Sequence, residues 1–424
     1  MTKIFETRPS LLLGVAFLFF LGYLLPLTQN YPYYPDDYIV FKRAHEISSN
    51  PFQAWAPVPR YDRRHPLFFY TLFLEKSVFG FHSTGYFFIL FLFHFFNSLL
   101  VVRLCQSLGG KGFAPFLSGL FFLFSSTSYQ NLIFIQASIR VFCIFWFLLA
   151  TTSWVKFLLR PNVSQLLKTI AFQTAALLTM EDACVFPLIA ALLAWRILPA
   201  GNERAKILFR WVPVLFLVDL AVLLPLLQSF FFSSLVTKKF STVFDLPEKL
   251  ASLVKMFLQP LIVPEKDFLL ALFPKTISRL APAFLIFVFI VIFYRRKERI
   301  KYFTRQIPRQ LIFTSLVWIA VALSPFLFQP LTFEHASRYL YLPMVGFNLI
   351  LAGGINAAIE TVRTFVARKG LIFLGATIAY ILMLNLASIG HHYERYRKDA
   401  EGNPDPNEVR AYERVSRVFE TGKA

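Results

Sequence analysis

Charge is scarce in this chain. Only 16% of its 424 residues are Asp, Glu, Lys or Arg, while 56% are hydrophobic. Soluble domains carry about 25% charged residues, so an ordinary water-facing surface is excluded. Cysteine is scarce as well. Cys105, Cys143 and Cys184 lie in or beside apolar runs, which excludes a disulfide framework and shows no metal-ligand spacing. No internal repeat is visible, and no small-residue cleavage site follows the first apolar run, Leu11 to Leu27. That run is long enough to span a bilayer and reads as a retained helix, not a removed signal peptide.

What the chain has instead is apolar length. It holds 52 Phe, and its mean hydropathy is +0.57. The expectation is an all-α polytopic membrane protein, because only helices satisfy their own backbone in lipid apart from closed barrels. With roughly 20 residues needed per crossing, about 11 transmembrane helices are predicted. They centre on 11–28, 85–104, 113–130, 140–158, 167–181, 184–198, 210–230, 279–294, 311–328, 339–358 and 371–389. The transmembrane domain is drawn over 1–389, with long external loops at 29–84 and 231–278 and a short helical tail at 390–424. The first loop reads as two interfacial helices, Asp36 to Ile47 and one starting at Pro66, a good first-turn residue. The stretch 247–258 could lie on the membrane, and 407–419 reads as a surface helix.

Lys and Arg set the orientation. With a cytoplasmic N-terminus, 21 of them fall in short cytoplasmic segments, and the opposite short loops hold only Arg140 and Arg338. By the positive-inside rule the first loop faces the exterior, the periplasm in a bacterial inner membrane. The net charge of +19 then serves orientation and anionic lipid, not nucleic acid. Asn162-Val163-Ser164 is a glycosylation sequon on the wrong side.

Polar groups gather on that external side. Asp36 and Asp37 follow Pro35; Arg63, Arg64 and His65 precede Pro66; Arg140 opens the fourth span; Glu181 and Asp182 separate spans five and six; Glu334, His335, Arg338 and Tyr339 precede the tenth. Each has a plain structural role: acids cap helices, arginines snorkel. Together they make a site in which Arg grips a phosphate by two contacts and a carboxylate acts as base. Within the membrane, His94 and Asn97 read as interhelical hydrogen-bonding groups, and Asp219 as a buried acid paired with a neighbouring helix.

At these residues the chain resembles the GT-C fold glycosyltransferases, above all the O-mannosyltransferase-like proteins associated with tetratricopeptide repeats, and the protein mannosyltransferases. The acid pair is Asp36-Asp37. An Arg-Pro-Leu motif is similar to Arg64-His65-Pro66-Leu67. Phe79-Gly80-Phe81, Gly85-Tyr86, His94 and Asn97 follow in the family's order. Glu181 with Pro187, and the run Arg338 to Pro343 with Gly346-Phe347, complete the likeness. The resemblance implies transfer of a sugar from a polyprenyl-phosphate donor to a glycan, lipid or protein hydroxyl, with inversion. Asp36 and Asp37 are then catalytic; Arg63, Arg64, His65, Arg140, Glu181, Asp182, Arg338 and Tyr339 bind substrate. The activity is metal-independent or tolerates a divalent cation, Mg or Mn. The alternative is a non-catalytic protein that binds or flips a polyprenyl lipid. A secondary transporter is disfavoured, since no paired repeat halves occur.

Overall fold

The computed structural model describes residues 9–29, 35–56, 64–80, 82–126, 129–231, 302–303, 305–306, 308–324, 337–365 and 368–402. The predicted span 279–294 and the stretches 247–258 and 407–419 lie outside them. Every regular element among the described residues is a helix. Six helical stretches are long and apolar enough to cross a membrane: Pro9–Thr28, Ser83–Ser107, Ser138–Leu159, Asn202–Leu224, Pro343–Thr364 and Leu374–Arg397. The protein is a helical membrane protein, with six such helices among the described residues; the eleven that the apolar runs predicted are not confirmed.

The chain opens with α1 (Pro9–Leu24), closed by a 3-10 turn over Leu25–Thr28. The first loop then folds as α2 (Pro35–Ser49), a 3-10 turn over Pro51–Trp55, and α3 (Pro66–Phe79). Both predicted helices of the first loop are present, each with a proline in its first turn. On α2, Val40, Phe41, Ala44 and Ile47 are buried, one helical face at the expected spacing. The two are tied together: Arg43 Nη1 donates to Gln53 Oε1 at 3.0 Å, and the Tyr70 hydroxyl donates to the Pro51 carbonyl at 2.9 Å. Gly80 ends α3 at φ 56°, a left-handed conformation that favours glycine. The Tyr86 hydroxyl donates to its carbonyl at 2.7 Å.

The bundle follows as α4 (Ser83–Ser107), α5 (Ala114–Leu123), the single turn α6 (Gln130–Ile133), α7 (Ser138–Leu159), α8 (Val163–Thr179), a 3-10 turn over Glu181–Val185, α9 (Phe186–Ile197) and α10 (Asn202–Phe231). Beyond the undescribed middle come α11 (Arg309–Leu323), a 3-10 turn over Ser337–Leu340, α12 (Pro343–Phe365) and α13 (Arg368–Gly402).

Two differences from expectation have physical causes. The apolar run at 113–130 is not confirmed as a span, because its helix is only 10 residues long and rises about 15 Å. Ser125, Ser126 and Asn131 follow it, and short polar side chains compete with helix for the backbone. The segments 167–181 and 184–198 are helices of 17 and 12 residues, with the Glu181-Asp182 turn between them. Across residue 389 the chain is helical: α13 continues unbroken through Gly390 to Gly402.

Between apolar helices in lipid there is little hydrophobic gain, so close packing and buried hydrogen bonds must hold them. A Cβ on Gly119 would lie 2.9 Å from the Ser98 carbonyl oxygen, and one on Gly346 would lie 2.7 Å from that of Ser315. Helices α4 and α5, and α11 and α12, thus meet at backbone distance. Trp154 Nε1 donates to the Ala190 carbonyl at 2.9 Å, and Trp318 Nε1 to that of Leu342 at 3.1 Å. Abundant Phe fills the rest. Phe93 and Phe142 meet edge to face at 4.7 Å, a geometry favoured by the ring quadrupole.

Candidate active site

Seven of the ten predicted site residues are brought to one end of the bundle, where loops and helix starts meet. Asp37 is the third residue of α2 and is 2% exposed. Its Oδ1 accepts the backbone N–H of Gln136 at 2.9 Å, in the turn leading into α7. The carboxylate therefore anchors the first loop on the start of another helix. Asp36 is the second residue of α2; its side chain is outside the described set.

Arg140 is on the first turn of α7. Its Nε lies 3.6 Å from Asp182 Oδ2, with the two side chains 12% and 13% exposed. Its guanidinium carbon stands 4.6 Å from the centre of the Tyr339 ring. One residue earlier, Glu181 Oε2 lies 3.7 Å from His65 Nδ1. The adjacent acids of one 3-10 turn thus face two different partners, the Arg140 guanidinium on α7 and the His65 imidazole just before α3. Arg64 stands beside His65 in the same lead-in. Arg338 and Tyr339 sit in the 3-10 turn before α12, and the Arg338 carbonyl accepts from Asn131 Nδ2 at 3.1 Å. Arg63, Glu334 and His335 lie outside the described residues.

A small open cleft lies among these groups; Arg140, Cys143, Met180, Asp182, Tyr339 and Tyr341 line it. Its wall combines a cation, an acid and two phenols in an otherwise apolar setting. Burying an ion pair gives little net stability, since desolvation offsets the attraction. The Arg140–Asp182 pair is therefore better explained by what it holds in place than by folding alone.

Sequence reading missed Gln136 and Asn131, which act through a backbone N–H and a backbone carbonyl. A backbone partner leaves no trace in residue type. Asn131, a polar residue before an apolar Leu-Ile-Phe-Ile run, was the one visible signal. The intramembrane readings hold. His94 Nδ1 lies 2.6 Å from the Tyr341 hydroxyl, and Asn97 Nδ2 donates to the Val141 carbonyl at 2.9 Å. Asp219 Oδ1 accepts from Gln173 Nε2 on α8 at 2.5 Å, which supplies the partner the sequence left open. Among the described residues no group of three His, Cys, Asp or Glu could hold a metal ion. Asp37, Glu181 and Asp182 already face protein partners there.

The sequence matches no family model and no curated protein. The fold does have solved counterparts. The Archaeoglobus fulgidus oligosaccharyltransferase, crystallised with Zn and sulfate, superposes with a TM-score of 0.54 at 16% identity, over 94% of this chain and 56% of that one. Its apo form gives 0.50 at 13% identity, over 97% and 56%. The chain thus spans about half the length of the protein it resembles. The likeness supports a GT-C type of fold, the class of membrane glycosyltransferases to which that enzyme belongs.

Proposed function

We propose that this protein is a GT-C glycosyltransferase that moves a sugar from a polyprenyl-phosphate donor to an acceptor hydroxyl at the outer membrane face. One observation carries the reading. In a bundle of GT-C type, Asp37, His65, Arg140, Glu181, Asp182, Arg338 and Tyr339 converge on one end, from five separate stretches of sequence.

The step is a single displacement. The acceptor oxygen attacks the anomeric carbon as the bond from that carbon to the phosphate oxygen breaks. The acceptor proton passes to an aspartate, and the polyprenyl phosphate leaves with its electron pair and negative charge. Attack from the opposite face inverts the anomeric centre. Arg140 and Arg338, with Arg63 and Arg64, are the groups we assign to the developing phosphate charge, where fixed cations in a water-poor site count most. Asp182 holds Arg140 against Tyr339. Asp37 is committed to the Gln136 amide, so Asp36 is the base we favour, with Asp37 fixing the loop that carries it. The sugar, hexose or pentose, and a mannosyl specificity in particular, are left to the assay. Chelation in the same assay tests for Mg or Mn.

Membranes containing the protein, given a polyprenyl-phosphate sugar, should transfer sugar. Asp36→Asn keeps shape but removes basicity, so transfer should fall by about 10² to 10⁴ with protein level and lipid binding kept. Full activity in Asp36→Asn, Asp37→Asn and the double variant would instead favour a polyprenyl-lipid binder, a reading that the structural engagement of Asp37 also accommodates.

A further inference from the structure

Asn97 is completely buried in α4, inside the bundle. A buried amide is costly unless its hydrogen bonds are met. Its Nδ2 makes both donations, one to the Val141 carbonyl at 2.9 Å and one to the Tyr341 hydroxyl at 3.2 Å, while its Oδ1 has no hydrogen-bond partner among the described residues. Val141 is the residue after Arg140, and Tyr341 is two residues after Tyr339. A single amide therefore grips, on one side, the backbone that carries the arginine. On the other it grips the turn that carries the ring beneath that arginine.

The donor and acceptor roles close into a chain. Asn97 donates to the Tyr341 oxygen, so the phenolic hydrogen points to His94 Nδ1, 2.6 Å away. His94 then carries its own hydrogen on Nε2, 3.0 Å from the Leu123 carbonyl. Each assignment follows from the preceding one and from what each group can donate. The result links α4, α5, α7 and the entrance to α12 through three side chains. Tyr341 also lines the cavity beside Arg140 and Tyr339.

We infer that Asn97, His94 and Tyr341 form a positioning device that sets the placement of the Arg140 guanidinium over the Tyr339 ring. This rests on the reading of Arg140 as a phosphate-holding group. None of the three need touch substrate. They act through the two strands of backbone that present Arg140 and Tyr339 to the cavity. Misplacing such a group by about 1 Å can cost on the order of 10² in rate.

The test uses the full chain in lipid nanodiscs with 3-fluorotyrosine at position 339, observed by fluorine NMR. Arg140→Gln should shift the resonance, because it removes the cation from the ring face. Tyr341→Phe deletes one oxygen, and Asn97→Ala removes the bridging amide. Both should move or split the resonance toward the Arg140→Gln position. Trp154→Phe, which loses a hydrogen bond to Ala190 elsewhere in the bundle, should leave it in place. In the transfer assay, Tyr341→Phe should lower kcat/KM by on the order of 10-fold to 10²-fold at unchanged protein level. A resonance that answers to Arg140→Gln but ignores Tyr341→Phe and Asn97→Ala overturns the inference. So does one that moves equally in Trp154→Phe, and so does one that ignores Arg140→Gln. If the resonance behaves as expected but the wild type transfers no sugar, the positioning device stands and the glycosyltransferase reading fails.

Discussion

At the scale of single residues, the site is a set of pairings, not a set of free charges. Arg140 is held from two sides, by Asp182 at 3.6 Å and by the face of Tyr339 at 4.6 Å. A guanidinium is planar and stacks on an aromatic ring while its edge still faces an anion; an ammonium does neither as well. Arg140→Lys keeps the charge and the partner but loses the stacked plane. Titration of the variant with undecaprenyl phosphate should show affinity weaker by about 0.5–2 kcal/mol, and wild-type affinity would reduce Arg140 to an interfacial anchor. The sequence could nominate Arg140, Asp182 and Tyr339, because charge near a membrane is rare and each sat at an apolar boundary. It could not show that Arg140 pairs with Asp182 and Glu181 with His65. That choice depends on how a five-residue 3-10 turn directs two neighbouring side chains.

At the scale of elements, the first loop is where sequence and structure agree best. Pro35 and Pro66 fix the starts of α2 and α3, and Gly80 fixes the end of α3 by a positive φ. Local chemistry of that kind is legible without a fold. Apolar length was less informative. A long run of Phe and Leu looks alike whether it spans, as α7 does, or stops after 10 residues, as α5 does. Tertiary packing decides, and a hydropathy window does not see it. Glu75 on α3 is a case in point. It faces inward, 7% exposed, between Leu72 and the end of the helix, with Oε1 lacking a hydrogen-bond partner among the described residues. Burial pushes its carboxyl up from 4.5 to about 8. The folded state thus keeps a proton that the unfolded chain releases, so stability present below about pH 4.5 is lost as pH rises through about 8. Glu75→Gln cannot ionise. Its thermal unfolding in detergent should be flatter between those two pH values, and at pH 9 it should be more stable than wild type by at least about 1 kcal/mol. Parallel pH profiles for the two proteins would mean that Glu75 is solvated.

At the scale of the whole molecule, the arrangement of helix ends carries the functional argument. The ends that meet at the site alternate along the chain: the exit of α1 toward α2, the starts of α4, α7, α9 and α12, and the close of α8. The Ser83 hydroxyl donates to the Thr28 carbonyl at 2.9 Å, which ties the exit of α1 to the start of α4. Alternation of this sort brings these groups to one end of the bundle, and the bias of Lys and Arg is the ground for proposing that this end faces the exterior. Segments at the other ends carry the basic residues, among them Arg103, Lys111, Arg196 and Arg204. Two exposed positions separate the possibilities. Ser49 ends α2 on the side of the site, and Asn202 starts α10 on the opposite side. With partly exposed Cys184 replaced by Ser and the buried Cys105 and Cys143 left in place, Ser49→Cys in intact cells should react with an impermeant maleimide. Asn202→Cys should react only after the membrane is opened. The reverse pattern would turn the site toward the cytoplasm, where acceptors at an outer surface are out of reach. It would take the proposed reaction with it, since the same seven residues would then face a compartment in which the donor sugar and the acceptor hydroxyl must both be cytoplasmic.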